Sequence, residues 1–184
     1  MNHVNHYSIV ILPPDEVNEK VDELKRKLFT ESGKEYSSRK SIAHITVQEF
    51  WATENKLNKI ILKLIKVARE QKCFPAEFDK VICSEQTAFF SPNANSKNDL
   101  EKFIKRLRSE VKGHITSNAH ISIGRKLSPQ QIEISRNIFS NETLNFECNR
   151  IALRKLNDTI KQFEVVQIFP FLGKELAEKQ LTLW

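Results

Sequence analysis

Two short segments of the 184-residue chain carry side chains suited to proton transfer. Ser41-Ile-Ala-His-Ile-Thr-Val47 aligns without gaps to Ser117-Asn-Ala-His-Ile-Ser-Ile123. Ser, Ala, His and Ile are identical in the two copies, and Thr46 with Ser122 and Val47 with Ile123 are alike in chemistry. Side chains two apart on a strand share a face. His44 and Thr46 therefore point one way, with Ile45 and Val47 toward a core. His120 and Ser122 repeat this against Ile121 and Ile123. Two such strands facing each other across a groove present two imidazoles and two hydroxyls. One imidazole can take a proton from an attacking nucleophile, and the other can give one to a leaving oxygen. The hydroxyls can donate hydrogen bonds to non-bridging phosphate oxygens. An unperturbed pKa of ~6.5 lets histidine work in either form near neutrality. The set suits phosphodiester chemistry.

The repeat carries this reading, because a single His-x-Thr in a strand means little. His114-Ile-Thr116 also fits the short pattern. It follows Gly113 at a helix exit, and Ser117-Asn118 stand where the apolar residue should be, so His114 reads as a loop residue. His3 and His6 lie near the N-terminus without matching surroundings. Metal binding is the other chemistry open to two facing histidines. Their companions are hydroxyls, HExxH is absent, and zinc sites usually need a third strong protein ligand. A Ser-His-Asp triad is not excluded by residue counts, but no GxSxG elbow is present.

The elements that must position the motifs follow from hydrophobic spacing. Tyr7–Leu12 reads as a strand stopped by Pro13-Pro14. Asp15 can cap a helix whose apolar stripe is Val17, Val21, Leu24 and Leu28, broken by Gly33. A polar loop over 34–40 leads into the first motif. Thr53 can cap a second helix, with Leu57, Ile60, Ile61, Leu64 and Ala68 on one side, in a region ending at Pro75. Phe78–Phe90 reads as one or two strands interrupted near Glu85 and Gln86, closed by Ser91-Pro92. The second half repeats the order. A helix carries Leu100, Phe103, Ile104, Leu107 and Val111, Gly113 stops it, and the second motif follows. Ser128-Pro-Gln-Gln131 opens another helix with a capping box, and Leu127 and Ile132 fit a staple across it. Strands around Phe146–Leu156 and Phe163–Phe169 follow, with Asn157-Asp158 turning between them.

At 40% hydrophobic and 28% charged the chain can bury a core, which excludes wholesale disorder. No apolar run approaches the ~18 residues that span a bilayer, and the first strand lacks the flanks of a signal peptide. A soluble, cytoplasmic monomer is expected, with no membrane partner. Cys73, Cys83 and Cys148 are odd in number and lack CxxC spacing, which argues for reduced thiols. The net charge of +6 is compatible with a polyanionic partner. Lys102, Lys105, Arg106 and Arg108 read as a solvated helix face.

The two tetrads, His44-Ile-Thr-Val47 and His120-Ile-Ser-Ile123, resemble those of the two-histidine (2H) phosphoesterase superfamily, and within it the 2′-5′ RNA ligase-like group. The resemblance implies an α+β fold of two pseudo-symmetric lobes, with antiparallel sheets lining a central cleft and helices outside. A single domain over 1–184 is expected, its lobes contributed roughly by 1–92 and 93–184. The resemblance also implies chemistry without metal or cofactor on 2′,3′-cyclic phosphates or 2′-5′ linkages of RNA ends or nucleotides. Carried over by position, His44 and His120 become the acid/base pair and Thr46 and Ser122 the phosphate holders. A phosphodiesterase for a small non-RNA cyclic phosphate and a non-catalytic module holding RNA ends are the alternatives. Beyond the tetrads, Arg125 is a candidate phosphate clamp, because arginine offers paired donors. Strand parity sets it on the face of Ile121 and Ile123 unless Gly124 bends the strand. Arg39 and Lys40 are candidates for the cleft mouth, and Tyr7, Phe89 and Phe90 for stacking on a base.

Overall fold

In a computed structural model, residues 3–115 and 118–174 are described. Thr116 and Ser117, the end of the His114 segment and the start of the second repeat, lie outside the described residues. Twelve elements follow one another: β1 (Asn5–Ile11), α1 (Asp15–Ser32), β2 (Ile45–Ala52), α2 (Glu54–Glu70), β3 (Phe74–Cys83), β4 (Thr87–Pro92), α3 (Ala94–Glu110), β5 (Ile121–Arg125), α4 (Pro129–Ile138), β6 (Leu144–Cys148), β7 (Arg150–Asn157) and β8 (Gln162–Pro170). They form two four-stranded antiparallel sheets, ordered β2-β1-β7-β8 and β5-β4-β3-β6. The motif strands β2 and β5 hold equivalent edges of the two sheets. No helix among the described residues is long and apolar enough to cross a membrane.

The expected division at residue 92 is not how the sheets divide the chain. The first sheet takes β1 and β2 from the beginning and β7 and β8 from the end, while the second is continuous from β3 to β6. The long apolar segment read as Phe146–Leu156 is two strands. Asn149 separates β6, which pairs with β3, from β7, which pairs with β1. The chain passes between the sheets there. β3 starts earlier than expected and contains Pro75. Around Pro75 the ladder runs on the β6 side only, where a missing N–H is tolerated.

The helices form where the apolar spacing places them. Val17, Val21, Leu24 and Leu28 of α1 are buried, each worth roughly 1.5–3 kcal/mol of transfer free energy. Gly33 closes α1 in the left-handed conformation, φ 62°, that glycine adopts without strain. Pro14 is the N-cap, and Asp15 is the first helical residue rather than the cap. Ser128 and Gln131 make the expected reciprocal capping box. α3 ends at Glu110, ahead of Gly113. That glycine allows a close approach, since a Cβ on it would lie 2.6 Å from the Glu49 carbonyl oxygen in β2.

The lobes share one core that draws Ile9, Ile11 and Ile45 from the first sheet and Phe78, Phe90 and Ile121 from the second. The helices tie them further. α1 joins β1 to β2 yet packs on β5, and α3 joins β4 to β5 yet packs on β2. Arg106 and Arg108 of α3 are structural rather than a solvated face. Arg106 pairs with Glu70, and the Arg108 guanidinium donates twice to the Val47 carbonyl, at 3.0 and 2.8 Å.

Candidate active site

Both histidines sit one residue before their strands, which begin at Ile45 and Ile121 rather than within the whole seven-residue runs. The local geometry repeats. His44 Nδ1 is 2.7 Å from the carbonyl oxygen of Ile42, and His120 Nδ1 is 2.8 Å from that of Asn118. A carbonyl can only accept, so in each neutral imidazole Nδ1 carries the proton and Nε2 is left with its lone pair. His120 Nε2 lies 3.2 Å from Ser122 Oγ.

Each motif strand carries a one-residue bulge at the same place. β2 pairs Thr46 with Val10 and Gln48 with Ile9, leaving Val47 unpaired. β5 pairs Ser122 with Phe89 and Gly124 with Ala88, leaving Ile123 unpaired. A bulge re-aims the residues after it. It turns Glu49 to the face of Thr46 and Arg125 to the face of Ser122. Arg125 thus reaches the site despite strand parity, by an extra residue at Ile123. The other lobe satisfies both bulged carbonyls: Arg108 donates to Val47, and Ser38 Oγ donates to Ile123 at 3.2 Å.

The side chains line two adjoining pockets that meet at Arg125. A cavity of about 170 Å³ holds His44, Thr46, Glu49 and Arg154; one of about 450 Å³ holds His120, Ser122, Phe89 and Lys97; Arg125 is on the wall of both. The Phe89 ring meets His120 edge-on at 5.1 Å. His44 opens to its pocket over part of its surface but is otherwise closely surrounded. Burial, then the Arg154 charge, then Lys25 and Arg125 push its pKa well below the usual imidazole value, against an opposing hydrogen bond to Ile42.

Arg154 and Glu49 were not legible as site residues. Arg154 is 4% exposed, donates from Nη2 to Ser8 Oγ at 3.2 Å, and leaves Nε without a protein partner. Burial lowers its pKa to about 10, so it stays cationic at neutral pH; Glu49 opposes the shift and Arg125 adds to it. Glu49 Oε2 lies 2.9 Å from Nε2 of His6, whose ring stacks on Trp51. His6, without a role in the sequence, is thereby fixed beside the His44 pocket. A lone arginine in the apolar run Ile151-Ala-Leu-Arg154 is the one signal that was available.

Four candidates do not line these pockets. Tyr7 and Phe90 are buried in the core, because each alternates with neighbours that take the cleft face, His6 and Ser8 for one and Phe89 and Ser91 for the other. Arg39 lies over the Phe29 ring at 3.8 Å and pairs with Glu35. Lys40 lines a separate groove beside α1. His114 is exposed, and its backbone, not its ring, is engaged: its N–H donates to Glu49 O at 2.7 Å and its carbonyl accepts from Glu49 N at 3.0 Å. His114 thus forms a single antiparallel bridge with Glu49 on the free edge of β2. All three cysteines are free thiols.

The family model described as the 2′-5′ RNA ligase superfamily matches residues 13–159, a span that includes both motifs and Arg154. No curated protein matches the sequence. Among solved structures, LigT of E. coli complexed with NADP+ is similar at a TM-score of 0.69 and 15% identity, over 92% of this chain and 99% of that one. TT0787 of Thermus thermophilus is similar at 0.61 and 16%, over 92% and 100%. Usb1 of Kluyveromyces marxianus is similar at 0.53 and 12%, over 90% and 98%. At these identities the likeness is one of fold.

Proposed function

The chain belongs to the 2′-5′ RNA ligase superfamily, a two-histidine phosphoesterase group, and from that premise we propose that it is a metal-independent phosphodiesterase acting on 2′,3′-cyclic phosphates or 2′-5′ linkages of RNA ends or nucleotides. The observation that carries the reading is the matched presentation of two imidazoles. Each is pinned at Nδ1 by the carbonyl two residues earlier, each leaves Nε2 available, and the two pockets meet at Arg125.

A phosphate seated at that junction has Thr46 and Arg154 on one side and Ser122 on the other, with Arg125 common to both. Hydroxyl and guanidinium donors hold the non-bridging oxygens as charge grows on them. One imidazole takes the proton of the attacking oxygen, from water in hydrolysis or from a ribose hydroxyl in transfer. The other protonates the departing ribose oxygen. The reverse sequence joins ends, so hydrolysis and ligation use the same residues. The larger pocket is of a size usual for small-molecule sites and is walled by Phe89, which gives a nucleoside room beside the phosphate. LigT of E. coli has been crystallised with 3′-AMP, ATP and phosphate, ligands of the class proposed here.

The test is a screen of purified protein, with EDTA present, against 2′,3′-cyclic nucleotides, 2′-5′ dinucleotides and RNAs with cyclic phosphate ends. Turnover of at least one that is lost in His44→Ala and His120→Ala is expected. Turnover that fails on chelation and returns with added Zn²⁺ or Mn²⁺ overturns the acid/base chemistry.

A further inference from the structure

The His44 strand runs further past its motif than the His120 strand does. β2 continues from Glu49 through Phe50 and Trp51 to Ala52, whereas β5 stops at Arg125, the equivalent of Glu49. The extra length carries Trp51, an exposed aromatic ring beside the cleft. We propose that Trp51, His6 and Phe163 form a stacking platform for the bases of single-stranded RNA, which makes RNA ends, rather than free nucleotides, the preferred substrate. The proposal rests on the phosphodiesterase reading and names the substrate class of that site.

Strand register brings the three rings together. Trp51 pairs with His6 across β2 and β1, and Leu156 with Phe163 across β7 and β8. Tyr7 pairs with Lys155, which sets Leu156 beside His6 and makes one row across the whole sheet. The rings meet along it. His6 lies flat on Trp51, with 4.1 Å between centroids and 8° between planes, and meets Phe163 edge-on at 5.1 Å. Glu49 holds the imidazole in place, its Oε2 2.9 Å from Nε2. Trp51 is nevertheless 52% exposed, while Tyr7 and Phe50, the next residues along their strands, take the buried face. Adjoining rings of this kind are a preassembled surface, unlike an apolar side chain exposed singly.

What lies beside the row decides what it takes. The next row toward the motif is Glu49, Ser8, Arg154 and Val165, about 7 Å along the strands. In it the buried Arg154 keeps Nε without a protein partner, and its Cζ lies 5.2 Å from the centre of the Phe163 ring. Phe163 and Leu156 also wall the His44 pocket together with Thr46 and Arg154, so the rings are continuous with the proposed seat of the phosphate. Cations flank the row. Lys56 donates to the Trp51 carbonyl at 3.4 Å on one side, and Lys161, 3.9 Å from Asp158, lines the pocket on the other. A seat for an anion, a flat aromatic surface one row away and flanking cations match a nucleotide strand, in which charged phosphates and flat bases recur together. Bases stack on such rings whatever their identity. A phosphate held by Thr46 and Arg154 places the next base on the His44 side over Phe163 and His6, and a further one against Trp51. The nucleoside on the other side of the phosphate keeps the Phe89 pocket. A free mononucleotide fills one side only, whereas an RNA end fills both.

The experiment measures binding of the whole protein to a fluorescein-labelled single-stranded RNA hexamer ending in a 3′-phosphate, by anisotropy, with 3′-AMP as competitor. It is paired with kcat/KM on a 2′,3′-cyclic mononucleotide and on the same hexamer ending in a 2′,3′-cyclic phosphate. The hexamer is expected to bind roughly tenfold or more tightly than 3′-AMP, and to be the better substrate. Trp51→Ala, at an exposed position, should weaken hexamer binding roughly five- to hundredfold and shrink the preference for the hexamer over the mononucleotide by a similar factor. Trp51→Phe should largely restore both, because it returns a ring. The same hexamer in a duplex, with its bases covered, should bind weakly. Equal affinity for hexamer and 3′-AMP, or hexamer binding indifferent to Trp51→Ala, overturns the platform and leaves the row as a surface for a protein partner. Turnover of cyclic mononucleotides in that case keeps the phosphodiesterase reading standing. Hexamer binding that depends on Trp51 without turnover of any phosphodiester has the opposite consequence, keeping the platform and removing the phosphodiesterase reading.

Discussion

Glu49 and Arg125 occupy the same place in the two halves of the cleft. Each lies beyond the hydroxyl of its motif across a one-residue bulge, and both side chains reach the wall of the His44 pocket. Opposite charges in equivalent positions make a symmetric fold electrically polar. Glu49 is the one carboxylate lining that pocket among the described residues, and it sits with Arg154 where a phosphate would be held. Removing its charge while keeping its shape should strengthen anion binding. A unit charge at contact range in a partly solvated site is worth on the order of 1 kcal/mol. Glu49→Gln should therefore bind inorganic phosphate roughly fivefold more tightly by calorimetry, and unchanged affinity would show that the carboxylate does not face the anion.

The two motif histidines should be individually indispensable and jointly non-multiplicative. Each proton transfer contributes ~10²–10⁴-fold, so His44→Ala and His120→Ala should each lose about that much in kcat. The double variant should be little worse than either, because the residues act as a unit. His114→Ala should be nearly silent, since only its backbone is engaged with Glu49. His114→Pro, which removes the N–H that donates to the Glu49 carbonyl, should disturb the β2 edge and lower activity. An alanine at 114 as damaging as one at 120, in a folded protein, would reassign the second motif.

Much of the scaffold was legible because periodicity reports burial directly. The stripes of α1 and α3 and the His-x-Thr/Ser strands are local patterns, and the helices form where they point. What was not legible depends on pairing. A bulge exists only relative to a partner strand, so nothing in Thr46-Val-Gln-Glu49 or Ser122-Ile-Gly-Arg125 announces that the last residue regains the face of the first. The passage of the chain from one sheet to the other between β6 and β7 is hidden for the same reason, since an alternating apolar strand does not name its neighbour. Tyr7 and Phe90 were misplaced because an aromatic in a strand fits either face until register decides.

Gly124 offers a direct test of the β5 bulge. A Cβ there would stand 2.7 and 2.8 Å from the two methyl carbons of Leu127, which is buried and has little room to move. Gly124→Ala should destabilise by about 1–3 kcal/mol, the usual cost of overpacking, and should displace Arg125 enough to weaken phosphate binding. Trimming the obstacle should relieve it. Gly124→Ala with Leu127→Ala should lose less stability than the sum of the single variants in denaturant titrations. Strict additivity would mean that the glycine is needed for something other than that contact.

Lys25 makes stability depend on pH in a direction opposite to that of an ordinary surface lysine pair. It lies on α1, almost wholly buried, with Nζ hydrogen bonded to the carbonyl oxygen of Ser41 just ahead of His44. Burial lowers its pKa from 10.5 to about 8, with Asp22 opposing and Arg125 adding. The folded chain therefore releases this proton before the unfolded chain does. Between about pH 8 and 10.5 the unfolded state binds more protons, so the contribution of Lys25 to stability rises with pH across that window. Below it the penalty is fully present, on the order of 3 kcal/mol. Tyr36 acts in the opposite sense at higher pH. Its buried hydroxyl donates to the Lys25 carbonyl, and burial raises its pKa, so measurements are best confined to about pH 7.5–9.5. The unfolding free energy of the wild type should climb over that range relative to Lys25→Met, in which the group cannot titrate. Parallel curves for the two proteins would show that Lys25 keeps its proton in the fold, held by Ser41 more strongly than burial opposes it.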